Sequence, residues 1–154
     1  MDLWINTKNK ELRALIKRVD CLALNDSEAI LLTGERNLIR AGRKLLTMGP
    51  TMAIIKKGEH GAYLFHPEGL FALPSYPVTA VQDPTGAGDS FAGAFVGYLA
   101  AKDKTDFHSV KKAMIYAAVT ASLTIEAFSC DALELAGAEA IEQRYIELVN
   151  IVRI

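Results

Sequence analysis

The stretch DPTGAGDSFAGAF, residues 83–95, places two glycines and two aspartates just before an amphipathic helical pattern. A plain helix start needs only one capping side chain. Gly86 and Gly88 let the backbone turn tightly and approach another molecule closely. If Asp89 begins the helix, the N–H groups of residues 86–90 are free to bind an anion such as phosphate. The Asp89 carboxylate would then lie where it can take a proton from an attacking hydroxyl.

A purely structural interpretation of the same stretch stays open. Asp83 or Asp89 can act as an N-cap while the glycines form a tight turn, and this interpretation is favoured when the segment is taken alone. The stretch is not the standard dinucleotide fingerprint, because Phe91 stands where a third glycine is required. It is not a Walker loop either, since no Gly-Lys-Ser/Thr sequence follows.

Composition limits the class of protein before any motif is considered. The 154 residues fit a single domain over 1–154, with 51% hydrophobic and 23% charged residues. Seventeen basic and eighteen acidic residues leave no electrostatic case for binding nucleic acid or an anionic membrane. No apolar run is long enough for a membrane span. Cys21 and Cys130 lack a CxxC spacing and are expected to be reduced core thiols, which favours the cytoplasm.

Hydrophobic periodicity predicts an α/β fold, with strands alternating with helices. Strands are predicted at residues 3–5, 21–24, 52–55, 62–65 and 70–73, the last two as a hairpin around HPEG at 66–69. Ser27 and Asn37 are the expected caps of two short helices between the earlier strands. After residue 83 the apolar spacing predicts three amphipathic helices.

The segment 83–95 resembles the C-terminal signature of the PfkB carbohydrate kinase family, which has the ribokinase-like fold. Three other segments agree with that family in order and spacing. Asn25-Asp-Ser-Glu28 resembles its N-x-x-E motif, Lys57–Gly61 resembles its K/T-x-G-x-x-G segment, and residues 121–128 resemble the helix that closes the adenine pocket. The similarity runs from residue 3 to about residue 146.

The resemblance implies a ribokinase-like α/β domain with a mostly parallel sheet flanked by helices. Only the C-terminal, nucleotide-binding half of such a kinase is matched, so the N-terminal strands and the lid over the sugar are expected to be lacking. The sheet edge that those strands would cover is then exposed, rearranged, or paired with a partner, for example in a homodimer.

The resemblance also assigns the chemistry around the signature. Asp89 would be the catalytic base that deprotonates the acceptor hydroxyl. The amides of Gly86, Ala87 and Gly88 would form the anion hole for the transferred phosphoryl group. Phosphoryl transfer depends mostly on positioning and charge stabilisation, so a small set of groups suffices for the donor side.

The remaining assignments concern metal and nucleotide. Asn25 and Glu28 would hold Mg²⁺ through water, although the two alone are more often a strand-end cap and a solvated helix residue. Asp83 and the Thr85 carbonyl would bind a monovalent cation such as K⁺. In the Lys57–Gly61 segment, Gly58 and Gly61 would let the loop lie against ATP.

Two functions therefore compete at this stage. The first is an ATP-dependent phosphotransferase acting on a sugar or nucleoside hydroxyl, of which this chain is the donor-site half. The alternative is a truncated, catalytically inactive module that binds nucleotide or oligomerises, because the half of the family fold that builds the acceptor site is not matched. Asp89 within GAGD favours the first function.

Overall fold

The computed structural model describes residues 2–129 and 131–153. It divides into two compact units, Met1–Ala72 and Leu73–Ile154. The single domain expected over residues 1–154 stays a prediction. Within the described residues, no helix has both the length and the apolar content that crossing a bilayer requires.

The first unit is built on a mixed four-stranded sheet, counted over the described residues. Its elements are α1 (Asp2–Thr7), α2 (Asn9–Ile16), β1 (Cys21–Asn25), α3 (Asp26–Thr33), α4 (Leu38–Leu46), β2 (Met52–Lys56), a 3₁₀ turn (Gly58–His60), β3 (Ala62–His66) and β4 (Gly69–Leu73). The strand order is β1-β2-β3-β4. β1 and β2 are parallel, with Asn25 opposite Lys56, whereas β2 and β3 are antiparallel. Helices join the parallel pair, and a short connection suffices for the antiparallel one.

Strand β2 lies at the centre of the core of this unit. Residues 53–55 are fully buried, which matches the uninterrupted apolar run in the sequence. Leu24 of β1, Leu32 of α3 and Leu45 of α4 join the same apolar cluster. Burying each such leucine contributes about 1.5–3 kcal/mol. The four strands predicted from residue 21 onward are confirmed.

Asparagine caps begin both helices between β1 and β2. Asn25 Oδ1 accepts the Glu28 N–H at 2.7 Å, and the Asn25 N–H donates to Glu28 Oε2 at 3.0 Å, which makes a capping box. Asn37 caps α4 as predicted, because its Oδ1 accepts two backbone N–H groups. The predicted cap at Ser27 is wrong, because the Asn25 box starts α3 earlier and leaves Ser27 inside the first turn.

The apolar run at residues 3–5 is not the predicted strand but part of helix α1. The Trp4 carbonyl accepts the Lys8 N–H at 2.9 Å, as in a helical turn. Only Ile5 is buried, whereas Leu3 and Trp4 are 67% and 56% exposed. Three apolar residues are too few to distinguish a period of two from one of 3.6, so the prediction had no periodicity to rely on.

Gly42 allows helix α4 to approach strand β3 closely. A Cβ added at Gly42 would lie 2.1 Å from Cε2 of Phe65, whose side chain is only 3% exposed. Gly42→Ala is therefore expected to lower the free energy of unfolding by about 1.5 kcal/mol through overpacking. Urea denaturation measures the loss. The control Gly97→Ala, where no described atom lies within 4 Å of the added Cβ, is expected to be neutral or stabilising.

The second unit contains three helices within the described residues, as the sequence predicted. They are α5 (Ala87–Lys102), α6 (Phe107–Thr124) and α7 (Asp131–Val152), and α7 is interrupted at Gly137. The four-residue connection 103–106 makes α5 and α6 antiparallel neighbours. The Thr124 hydroxyl at the end of α6 accordingly donates to Ser90 Oγ near the start of α5, at 2.8 Å. Helix α6 supplies most of the buried residues of this unit.

The thiol of Cys21 is partly buried at the start of β1. Burial, and then the negative charge of Asp20, raise its pKa to about 11. Cys21 is therefore a protonated, weakly nucleophilic thiol at neutral pH. Cys130, the other expected core thiol, lies outside the described residues.

Candidate functional site

The glycine-rich turn before α5 is held by a glycine cap and an aspartate side chain. Asp83 Oδ1 accepts the Thr85 N–H at 2.9 Å. Gly86 is the N-cap of α5 and has a left-handed backbone, with φ 83° and ψ −11°. No side chain caps this helix start. Helix α5 begins at Ala87 rather than at Asp89, so the predicted anion site lies across the cap and the first turn.

The backbone N–H groups of this turn divide into two kinds. Those of Asp89 and Ser90 donate to the Gly86 carbonyl, at 3.0 and 2.8 Å. The expectation that all the amides of residues 86–90 are free is therefore wrong for these two. The Ala87 N–H makes a long bond of 3.3 Å to the Pro84 carbonyl. The N–H groups of Gly86 and Gly88 have no hydrogen-bond partner among the described residues.

Asp89 lies in the first turn of α5, where its charge is favoured by the helix dipole. Its side chain is exposed. It stands next to Gly88, whose N–H is available to an anion, and next to Ser90, whose hydroxyl is bound to Thr124. The turn thus combines an available carboxylate with available amides, which is the combination that proton removal and anion binding together require.

The end of α6 fixes the chain just before this turn. The Ile125 carbonyl accepts the N–H groups of Gln82 at 2.8 Å and Asp83 at 3.4 Å. Hydrogen bonds from the Thr85 hydroxyl and N–H, and a weaker one from the Ser129 backbone, hold the pKa of Asp83 below its ordinary value. The Asp83 carboxylate therefore stays charged while it holds the turn.

Replacing Gly86 by alanine tests whether the left-handed cap shapes this turn. Gly86→Ala is expected to lower the free energy of unfolding by about 1 kcal/mol, because a residue with a Cβ is strained at this φ. The nearest atom to an added Cβ is Thr124 Cγ2 at 3.7 Å, an ordinary contact, so the cost comes from the backbone. Urea denaturation measures it.

The matched control is Gly93→Ala in the interior of the same helix. No described atom lies within 4 Å of a Cβ added there, and alanine is expected to stabilise the helix by about 0.5–1 kcal/mol. Equal stability of the Gly86→Ala and Gly93→Ala proteins would contradict the left-handed cap.

In the first unit, two predicted segments meet at one edge of the sheet. Asn25 ends β1 and Lys56 ends the parallel strand β2, and the two residues are paired in register. The carboxyl ends of parallel strands form the edge where α/β proteins usually bind ligands. The Asn25–Glu28 capping box therefore lies beside the loop that contains Gly58 and Gly61. In this box Glu28 turns its carboxylate back toward the end of β1.

The loop after β2 closes on itself around the predicted nucleotide-binding glycines. The Lys57 N–H donates to the Gly61 carbonyl at 2.7 Å, and the Gly61 N–H to the Gly58 carbonyl at 3.1 Å. Both glycines have positive φ, 55° and 80°. Lys57 places its Nζ 3.7 Å from the centre of the Tyr63 ring. The loop is thus an ordered turn.

The residues that support the turn after α6 belong to no motif in the sequence. Arg144 of α7 donates to Glu126 Oε2 at 2.5 Å and to Ser122 Oγ at 2.8 Å. Its guanidinium also lies 4.7 Å from the centre of the Tyr76 ring. Arg144 lies in α7 and Glu126 lies in the turn after α6, so the periodicity of a single helix or strand does not relate the two residues. The only sequence signal is one arginine on an otherwise apolar and acidic helix.

Comparison with known proteins identifies the family. A model described as pfkB family carbohydrate kinase matches residues 2–135. The chain belongs to the pfkB carbohydrate kinase family. The resemblance inferred from residues 83–95 is therefore confirmed.

Curated relatives of this pfkB chain include kinases of sugars and nucleosides. The bifunctional ribokinase/ribose-5-phosphate isomerase A of Fructilactobacillus sanfranciscensis is 35% identical over 117 residues, 73% of this chain and 21% of that protein. The cytidine kinase of Thermococcus kodakarensis is 39% identical over 92 residues, 56% of this chain and 32% of that protein. The chain thus spans a third or less of the length of these two relatives.

Solved structures confirm the ribokinase-like α/β fold. The aminoimidazole riboside kinase of Salmonella enterica has a TM-score of 0.78 at 23% identity, over 91% of this chain and 46% of that one. An E. coli protein assigned as ribokinase II, in complex with ATP and Mg²⁺, has a TM-score of 0.70 at 26% identity, over 97% of this chain and 44% of that one. The chain spans less than half of each.

Proposed function

We propose that this chain is the phosphate-donor half of an ATP-dependent phosphotransferase that acts on the hydroxyl of a sugar or a nucleoside. The observation that carries the proposal is the start of α5. There an uncapped helix end offers the N–H groups of Gly86 and Gly88, with the Asp89 carboxylate in the same turn. Membership of the pfkB carbohydrate kinase family supports the same chemistry.

Asp89 is the proposed catalytic base, which takes the proton of the acceptor hydroxyl. The amides of Gly86 and Gly88 hydrogen-bond the oxygens of the transferred phosphoryl group. Ala87 joins them when its N–H exchanges the long 3.3 Å bond to Pro84 for a charged oxygen, because hydrogen bonds to charged acceptors are stronger. These groups are positioned before the reaction, which is the main requirement of phosphoryl transfer.

The proposed nucleotide is ATP, held in part by the loop containing Gly58 and Gly61. Support comes from the similar E. coli protein assigned as ribokinase II, whose structure contains ATP and Mg²⁺. Internal hydrogen bonds order the Gly58–Gly61 turn, and its two glycines carry no side chain that would keep a ligand from the backbone. A glycine-containing backbone of this kind allows a ligand to approach closely.

The residues present fit Mg²⁺ only together with phosphate and water. No group of three His, Cys, Asp or Glu side chains that could hold a metal exists within residues 2–129 and 131–153. Mg²⁺ commonly uses one or two carboxylates, with phosphate oxygens and waters as its other ligands. Glu28, with Asn25, is the proposed contact to its hydration shell. When bound, Mg²⁺ neutralises charge on the phosphates.

The remaining proposals are a monovalent cation, a location and an association state. Asp83 and the Thr85 carbonyl are the proposed ligands of K⁺, and the lowered pKa of Asp83 keeps the carboxylate negative for that role.

We place the chain in the cytoplasm, where its proposed substrates and a protonated Cys21 thiol are expected. A homodimer is proposed through the edge strand β1, which pairs on one side only within the described residues.

A catalytically inactive nucleotide-binding or oligomerising module is the second candidate. The observation that favours it is the short span of the chain, less than half of the related structures. A coupled ADP-release assay with Mg-ATP and a panel of sugars and nucleosides separates the two candidates. Acceptor-dependent ADP release supports the phosphotransferase. Thermal stabilisation by Mg-ATP without ADP release supports the inactive module and overturns the phosphotransferase for this chain.

A further inference from the structure

A depression lined by cationic groups lies at the connection between α5 and α6. Its volume is about 330 Å³ and its lining residues are Tyr98, Lys102, Lys104, His108, Ser109 and Lys112. Helix α5 has sixteen residues, so this depression is about 24 Å from the glycine-rich turn at the other end of the helix. It is therefore separate from the proposed phosphate-donor site.

The residues that line this depression carry an excess of positive charge, although Asp103 stands between two of the lysines in sequence. Three of its six lining residues are lysines, a fourth is a histidine, and none is acidic. Within the described part of the chain, none of the three lysines has an ion-pair partner within 4.0 Å. The nearby Asp106 is engaged as the cap of α6, where it accepts the Ser109 N–H at 3.0 Å and the Ser109 hydroxyl at 2.7 Å. Three neighbouring ammonium groups repel one another until an anion joins them.

One wall of the depression is formed by Tyr98, whose ring belongs to an aromatic stack. The Tyr98 ring stacks on Tyr116 with centroids 4.9 Å apart, and Tyr116 stacks on Tyr145 at 4.3 Å. The Tyr116 hydroxyl donates to Glu142 at 2.8 Å, so α5, α6 and α7 all hold this aromatic stack in place. Lys102 Nζ lies 5.9 Å from the centre of the Tyr98 ring. The lysines thus lie beside an aromatic surface that contacts between three helices support.

We propose that this depression binds the pyrophosphate group of a small metabolite. A pyrophosphate carries several negative charges along a short chain, which matches three ammonium groups better than a single carboxylate does. The volume lies at the lower end of the range for small-molecule sites, so the site takes a small polyanion. A nucleoside diphosphate and free pyrophosphate share this group, and the experiment distinguishes the two sources.

The test is residue-resolved NMR of the ¹⁵N-labelled chain titrated with pyrophosphate or with ADP. Saturable shifts of the Ser109 and Lys112 amides are expected. In the variant Lys102→Gln/Lys104→Gln/Lys112→Gln, binding at these amides is expected to weaken at least about tenfold. Shifts at Gly86 and Gly88 report the other anion site and are expected to be unchanged. This readout keeps the two sites distinguishable.

A control variant, Lys8→Gln/Lys10→Gln, removes exposed positive charge from the first unit. It is expected to retain the shifts at Ser109 and Lys112. Saturable binding of pyrophosphate would show that the pyrophosphate group alone is sufficient for binding. Saturable binding of ADP but not of pyrophosphate would show that the ligand is a nucleotide that carries this group. Either result supports the proposal. Saturation by neither ligand, or equal binding in the triple lysine variant, overturns it.

Discussion

Asp89→Asn is expected to slow phosphoryl transfer by about 100- to 10,000-fold while leaving the affinity for Mg-ATP unchanged. The substitution keeps the size and shape of the side chain but removes the group that accepts the proton of the acceptor hydroxyl. Nucleotide affinity should persist, because the N–H groups of Gly86 and Gly88 do not depend on the carboxylate. The expectation rests on the proposed function and on the position of Asp89 in the first turn of α5.

Two measurements check this expectation. A coupled assay of ADP release gives kcat, and calorimetric titration with Mg-ATP gives the affinity. The matched control is Asp103→Asn at the opposite end of α5, where the exposed residue has φ 49° and asparagine tolerates that conformation. The control should leave both quantities unchanged. Turnover by Asp89→Asn equal to that of the parent chain would remove Asp89 from the role of base.

Sequence pattern predicted the sheet of this protein well, for a physical reason. Residues 21–24 and 52–55 are uninterrupted apolar runs bounded by polar residues, which are typical of buried strands, and both form the parallel pair β1 and β2. The HPEG segment between two short apolar runs predicted the β3–β4 hairpin. In each case the local signal and the tertiary environment favour the same structure.

The failures lie where local signals conflict or are too short. At residues 3–5 the sequence alone does not distinguish a helix from a strand, because the pattern of burial decides between them. That pattern depends on contacts with residues distant in sequence. At Asn25 and Ser27 both side chains can cap a helix, and reciprocal bonding with Glu28 decided between them. The glycine-rich turn was located correctly, but the hydrogen bonds that occupy the Asp89 and Ser90 amides depend on the left-handed backbone of Gly86.

The family signature could be recognised from sequence, whereas its structural support could not. Thirteen contiguous residues identified the turn that precedes α5. The Ile125 carbonyl, which accepts the N–H groups of Gln82 and Asp83, is a backbone atom and leaves no side-chain signal. The Arg144–Glu126 ion pair joins two elements whose relation only the folded chain defines.

Arg144→Met is expected to lower the free energy of unfolding by about 3 kcal/mol. Arg144 and Glu126 are mostly buried, with side chains 17% and 30% exposed, so the loss of the guanidinium leaves a carboxylate without its partner. The hydrogen bond to Ser122 and the contact with the Tyr76 ring are lost with it. Partial exposure of Glu126 to water keeps the cost below that of a fully buried pair.

Arg144→Met should also alter the glycine-rich turn. Glu126 directly follows Ile125, whose carbonyl accepts the N–H groups of Gln82 and Asp83. We therefore expect the Gly86 and Gly88 amide resonances to shift in Arg144→Met, with phosphate affinity reduced. A double-mutant cycle with Glu126→Gln isolates the pair, and the double variant should recover part of the stability because no unpaired charge remains. Arg40→Met, at an exposed position on α4, is the control and should cost little. Additive losses in the cycle, with unshifted Gly86 and Gly88 resonances, would show that Arg144 does not support the turn through Glu126.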